Sequence, residues 1–211
     1  MNDAVSVTMN ETPLDERREA AWAAVNTPLS PGELLSFCLE DVERLFRINP
    51  YLEFERWEHL AAHHYRYSGR NSSQAQPFDF DLELRVEEQP DGLRIDYTGG
   101  LKQQTIFQVE PSVHGSKLTI HESYPALADD ERDQRVGEVD RSLTTWAGDI
   151  QKYLVTWKQW SWLPPWRWYM RRIWQRMKPS GRRIAYIFWW ITLVEIALII
   201  LGAGIYMAEY R

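Results

Sequence analysis

Cysteine is nearly missing from the sequence: in 211 residues there is one, Cys38. A single thiol closes no internal disulfide, so the fold must rest on its core, and the usage suits a reducing compartment. Cys38 lies in the apolar pattern LLSFCLEDV, which reads as a buried structural thiol rather than a nucleophile. An apolar run near the N-terminus is missing too. Residues 1–20 are polar and acidic, so no secretory signal is read there. No G-x-S-x-G, phosphate loop or dinucleotide fingerprint occurs, so no motif speaks for an enzyme of those classes. Metal-ligand spacing is also lacking. His59, His63 and His64 crowd together in sequence, but on a strand His59 and His63 stand about 13 Å apart and His63 and His64 face opposite ways. Asp79 with Asp81, and Glu87 with Glu88, read as a solvated sheet face. No metal and no cofactor is expected.

The most informative absence is of acidic residues between Trp157 and Arg183. That stretch carries eight basic residues and six of the 11 tryptophans, in WKQWSWLPPWRWYMRRIWQRMKPSGRR. Residues 1–157 carry the opposite balance, 15 basic against 28 acidic, or −13 out of an overall −6. Interleaved Arg and aromatic residues suit single-stranded nucleic acid when they stand alone. Here the next residues decide otherwise. Residues 185–207, AYIFWWITLVEIALIILGAGIYM, hold one charged residue, Glu195, in 23 positions and show no polar face. At about 1.5 Å rise per residue they are long enough for a hydrocarbon layer of ~30 Å.

The basic, Trp-rich stretch is therefore the flank of a transmembrane helix, with Trp at headgroup level and Lys/Arg on the cytoplasmic side. Trp157, Trp160, Trp162, Trp166, Arg167, Trp168, Arg171, Arg172, Trp174, Arg176, Lys178, Arg182 and Arg183 are the expected membrane-interface residues. The expected partner there is membrane lipid, not nucleic acid. The expected topology is a single-pass, tail-anchored protein of the cell (inner) membrane with a cytoplasmic N-terminal domain. Glu195, near the bilayer centre, is expensive when charged; it is either tolerated in neutral form or meets a membrane-protein partner or a second copy. Gly204 and Ala208 add only a weak small-residue pair.

Upstream, residues 1–18 read as a mobile leader and 19–29 as a strand or extended segment stopped by Pro28. SPGELLSFCLEDVERLF opens with Ser30 as N-cap, Pro31 at the first helical position and Glu33 three after the cap, and its apolar spacing predicts one amphipathic helix. Residues 51–69 are mixed but strand-like. FDFDLELRVEE (78–88) alternates strictly, and a Pro-Asp-Gly turn pairs it with 92–100. Residues 102–111 and 116–124 form a second hairpin, so the sheet is antiparallel. A long helix follows, capped by Asp129 or Asp130. Its stripe is Val136, Val139, Leu143, Trp146, Ile150, Tyr153 or Leu154, Trp157 and Trp160, and Pro164-Pro165 breaks it. WRWYMRRIWQRM reads as a short interfacial helix. The divisions expected are 1–18, a domain at 19–163, a collar at 164–183 and a span at 184–208.

This order resembles the helix-grip fold of the START-like (SRPBCC) superfamily, which includes polyketide cyclases, lipid-transfer domains and plant pollen allergens. The resemblance is carried by NTPLSPGELLSFCLEDVERLFRINPYLEFERWE, GLKQQTIFQVEP and GSKLTIHESY, over roughly residues 20–157. Asp41, Glu43, Leu45, Asn49 and Pro50 fit the string that closes the helical excursion, and Gly115, Ser116, Leu118 and Thr119 the one that opens a late strand. The span and collar are departures from it. The resemblance implies an α+β fold in which a curved sheet wraps the long helix around a cavity for an apolar molecule. Phe78, Phe80, Tyr97, Phe107 and Trp146 are the inward candidates to line that cavity or, packed together, to fill it. It leads to a membrane-anchored module for a lipid or other apolar ligand such as a quinone. The alternatives are an accessory or assembly subunit of a membrane complex, and third an enzyme of cyclase or hydrolase type.

Overall fold

A computed structural model describes residues 19–125 and 141–209. In chain order these form β1 (Glu19–Thr27), α1 (Pro31–Glu40), α2 (Val42–Ile48), β2 (Leu52–Ala61), β3 (His64–Asn71), β4 (Phe78–Gln89), β5 (Gly92–Thr98), β6 (Gln104–Ser112) and β7 (Gly115–Tyr124). Then come α3 (Leu143–Trp160), α4 (Pro164–Arg172), a 3-10 turn (Trp174–Arg176) and α5 (Pro179–Glu209). The leader at 1–18, the caps Asp129 and Asp130, and stripe residues Val136 and Val139 lie outside the described residues.

The seven strands form one antiparallel sheet in the order β1-β7-β6-β5-β4-β3-β2. Six strands run as a meander from β2 to β7. β1 joins the far edge beside β7, and α1 and α2 bridge the gap between the first strand and the second. This is the helix-grip arrangement. The side chains of β4 show why the sheet has one dry face: Leu84 and Val86 are buried while Asp79, Asp81, Arg85 and Glu87 are exposed. α3 lays Leu143, Trp146, Ala147, Ile150, Tyr153 and Leu154 against that face. Their spacing of three and four residues makes one continuous stripe.

Three local readings change. The single helix expected from Ser30 is two. Ser30 caps α1 with a capping box, accepting from the Glu33 amide while the Glu33 carboxylate accepts from the Ser30 amide. At Asp41 the backbone leaves the helix (φ −155°, ψ 87°), and the Asp41 carboxylate then caps α2 by accepting from the Arg44 amide at 3.1 Å. Apolar spacing hides the break, because Leu39 and Val42 are three apart and continue the pattern. Residues 51–69 become the β2–β3 hairpin, with irregular register at Phe54/Arg56 and His59/Ala61. His63 sits in its turn at φ 56°, not on a strand. The interfacial helix divides into α4 and the 3-10 turn, with Pro164 and Pro165 opening α4.

α5 is 31 residues long, reaches a mean hydropathy of 2.3 and buries none of its span. Among the described residues it is the one helix long and apolar enough to cross a membrane.

Cys38 is buried against the core, and burial pushes its thiol from an ordinary value near 9 up to about 12. The fold thus favours the neutral thiol. That contribution to stability is fully present below about pH 9 and is lost as pH rises toward 12. Iodoacetamide at pH 8.5 is expected to alkylate the native chain far more slowly than the urea-unfolded chain. Equal rates would mean that the thiol is not buried.

Candidate ligand cavity and membrane collar

A cavity of about 310 Å³ opens where the sheet meets the first turn of α3. Phe78, Phe80 and Leu82 of β4 form one wall, since period-two spacing sends all three inward. Asp79 and Asp81, between them, border the cavity as well and pair with Arg70 at 2.8 Å and Arg66 at 2.7 Å. Leu52, Tyr67 and Asn71 supply a second wall, and Trp146 the floor. The β5–β6 link, Gly99 to Lys102, forms the rim. Gly99 has φ +99°, a conformation that favours glycine, and a Cβ placed on Gly100 would stand 2.4 Å from the Leu82 side chain, so the rim passes close over Leu82.

Behind this opening the cup is packed with aromatic rings. Phe46, from α2, lies 5.5 Å from Tyr67, 5.5 Å from Trp146, 5.8 Å from Trp57 and 6.4 Å from Tyr97, measured between ring centroids. Of the five inward residues expected from sequence, Phe78, Phe80 and Trp146 line the cavity. Phe107 is fully buried and meets Trp146 edge-on at 5.4 Å, so it belongs to the packing beneath. Tyr97 stands in the same packing and donates its hydroxyl to Thr105 Oγ1 at 3.0 Å. Trp146 is fixed by its indole N–H, which donates to the Leu45 carbonyl at 2.8 Å.

A polar group that sequence reasoning passed over stands beside the cavity. Lys102 and Tyr124 line it, and both engage the Glu122 carboxylate: Lys102 Nζ donates to Oε1 and the Tyr124 hydroxyl to Oε2 at 3.0 Å. The Glu122 side chain is wholly buried. The signal was there to read. Leu118, Ile120, Glu122 and Tyr124 share one face of β7, so strict alternation already sends a carboxylate inward. The histidines go elsewhere. His64 meets Glu83 at 3.2 Å on the outer side, and among the described residues no group of His, Cys, Asp or Glu is placed to hold a metal.

The collar doubles back on the domain. From the end of α3, Trp166 packs on Trp157 at 5.6 Å, and four residues earlier on α3 Tyr153 takes Trp174 at 5.4 Å. Burial of that ring cluster pushes the Tyr153 hydroxyl up to about 12. Gln175 then donates to Asp41 Oδ2 at 3.0 Å, at the α1–α2 break. Arg182 closes the return. Its guanidinium donates to the carbonyls of Trp174 (3.1 Å), Gln175 (3.2 Å) and Arg47 (2.6 Å), and it lies 4.0 Å over the Trp174 ring. Beside it Lys178 pairs with Glu53 at 3.6 Å.

Of the residues expected at a membrane interface, Trp157, Trp166, Trp174 and Arg182 are packed against protein. Trp160, Trp162, Arg167, Trp168, Arg171, Arg172, Arg176, Lys178 and Arg183 are exposed. Arg44, for which no role was expected, is buried beneath the collar. It lies 3.9 Å over the Phe37 ring and donates to the Phe37 carbonyl at 2.8 Å. Glu195 lies on the exposed surface of α5, and none of the described residues pairs with it.

A seven-stranded antiparallel sheet gripping a long C-terminal helix, with two short helices after the first strand, defines the START-like helix-grip class of α+β fold. Solved structures of similar fold include human StAR-related lipid transfer protein 5, at 13% identity and TM-score 0.45, over 74% of this chain and 89% of that one. A STAR-related lipid transfer protein from Xanthomonas axonopodis is similar at 10% identity and TM-score 0.43, over 72% of this chain and 99% of that one. A polyketide cyclase-like protein from Corynebacterium glutamicum is similar at 12% identity and TM-score 0.38, over 67% and 94%. At these identities the likeness is one of fold. No protein-family model and no curated protein sequence matches the chain.

Removing one partner of a buried ion pair costs about 3–5 kcal/mol, whereas replacing both with apolar residues is far cheaper. Lys102→Met alone is therefore expected to lower the melting temperature sharply, and Lys102→Met with Glu122→Leu to recover most of the loss. A double variant as unstable as the sum of its singles would show that the two groups do not act as a pair.

Proposed function

We propose that the chain is a membrane-anchored binding module that receives an apolar molecule, or the end of a lipid, at the cytoplasmic face of the cell (inner) membrane. The observation that carries this reading is the cavity on the dry side of the sheet. Its walls are mainly aromatic and aliphatic, with an ammonium and a phenol, Lys102 and Tyr124, on one side and Asn71, Asp79 and Asp81 at its border. Such a surface suits an apolar body bearing one carbonyl or hydroxyl, as a quinone ring does. Its 310 Å³ is about twice the ~150 Å³ engineered cavity that admits benzene. A two-ring headgroup or the tip of an acyl chain matches that size, and a whole two-chain lipid does not.

The collar supports the membrane side of the reading. It carries the exposed Trp and Arg residues suited to headgroups. It also returns the chain to the cavity end of the domain: Lys178, which leads into α5, pairs with Glu53, and the neighbouring Leu52 lines the cavity. The bilayer would then begin close to the cavity wall. The basic collar sets the domain on the cytoplasmic side, leaving residues 19–163 as the domain, 164–183 as the collar and 184–208 as the span. A second reading, an accessory subunit of a membrane complex that takes no ligand, draws on the aromatic packing around Phe46, which already fills most of the cup.

Native mass spectrometry of the full-length protein, extracted from its own membranes in mild detergent, separates the two. A reproducible small-molecule adduct is expected, lost in Leu82→Trp, which adds bulk inside the cavity while the fold survives by circular dichroism. A bare chain arriving with protein partners at fixed ratio would favour the subunit reading instead.

A further inference from the structure

The centre of the span holds very few hydrogen-bonding side chains. Between residues 191 and 205 only Thr192 and Glu195 carry one. They are three apart on α5 and so share a face. Continuing from Glu195 in alternating steps of four and three reaches Ile199, Gly202, Tyr206 and Glu209. This is the seam of a helix that pairs at 3.5 residues per turn. Gly202 carries no side chain, so a second backbone can come close on this face. Glu195 lies one residue from the middle of the 185–207 apolar run, where a bare carboxylate is most costly.

We infer that this face of α5 pairs with the same face of a second copy of the chain, in parallel, with Glu195 opposite Glu195. The inference rests on α5 crossing the bilayer, as proposed above. Both copies insert with their collars on one side, so a two-fold axis along the membrane normal brings equal depths together. A neutral carboxyl both donates and accepts a hydrogen bond, so two of them satisfy each other without a cation, and the span offers no cation at that depth. Thr192 lies one layer above, and Gly202, two turns below, lets the backbones approach. A helix bearing a basic residue would satisfy the charge but would leave the matching of Thr192 and Gly202 to the same seam without use.

The test uses the full chain in lipid vesicles, in a Cys38→Ala background, with oxidative cross-linking of single cysteines. Ile199→Cys, on the seam, is expected to give disulfide dimers, and Leu201→Cys, on the opposite side, few. Adding Glu195→Leu should weaken dimerisation about tenfold, the loss of one interhelical hydrogen-bonded contact, whereas Glu195→Gln, whose amide also donates and accepts, should retain it. Equal cross-linking at both positions, or no effect of Glu195→Leu, would overturn the pairing. So would constant recovery with another membrane protein and none with itself. Carbonate washing of the vesicles tests the anchor separately. A chain that washes off loses both proposals, and one that stays bound as a monomer loses the pairing alone.

Discussion

One guanidinium, that of Arg182, donates to three backbone carbonyls drawn from two parts of the chain: Trp174 and Gln175 in the collar, and Arg47 near the end of α2. Helix C-termini leave carbonyls without intrahelical donors and carry partial negative charge, so a cation placed there satisfies both needs. Without this clasp the collar would be a strip of Trp and Arg strung between domain and span. With it, α4 and the 3-10 turn become part of the domain, covering Tyr153, Trp157 and the buried Arg44. The start of α5 is then fixed beside α2 and β2.

That fixed exit gives the cavity its setting. α3 runs away from the cavity, from Trp146 in its first turn to Trp157 near its end, about 16 Å at 1.5 Å per residue. On the proposed anchoring, a chain that left for the membrane directly from α3 would put the cavity at the far side of the domain. The collar reverses that. It runs back along α1 and α2, meeting Asp41 through Gln175 and Glu53 through Lys178, and reaches the strand that carries Leu52. The same short strand start therefore faces the cavity with one side chain and the collar with the next.

Much of the fold was legible because it rests on periodicity. β4 and the hairpins announced themselves by alternation and turn residues, α3 by its stripe, and α5 by length and apolarity. What was not legible depended on particular side-chain contacts that periodicity does not encode. The break at Asp41 is invisible to spacing, since both helices bury the same kind of side chain on the same face; only the carboxylate capping Arg44 marks it. Arg44 and Arg182 look like ordinary surface cations in sequence, and their burial needs Phe37, Trp174 and the carbonyl of Arg47 to arrive from elsewhere. Of the inward aromatics, Phe78, Phe80 and Trp146 reach the cavity because they lie at the sheet end and in the first helical turn. Phe107, mid-strand, is covered by Trp146. Glu122 could have been found by following the alternation of β7 to its end, where an acidic residue occupies a position that elsewhere carries Leu118 and Ile120.

The setting of the cavity requires the collar to be a folded part of the domain rather than a flexible tether. Hydrogen exchange of the full-length protein in lipid nanodiscs reads this directly. Amides of residues 166–177 are expected to exchange nearly as slowly as those of α1 and α2, and Arg182→Ala to speed exchange there while leaving β4 to β7 unchanged. Rapid exchange of 166–177 in the unaltered protein, at the rate of an unstructured peptide, would contradict it.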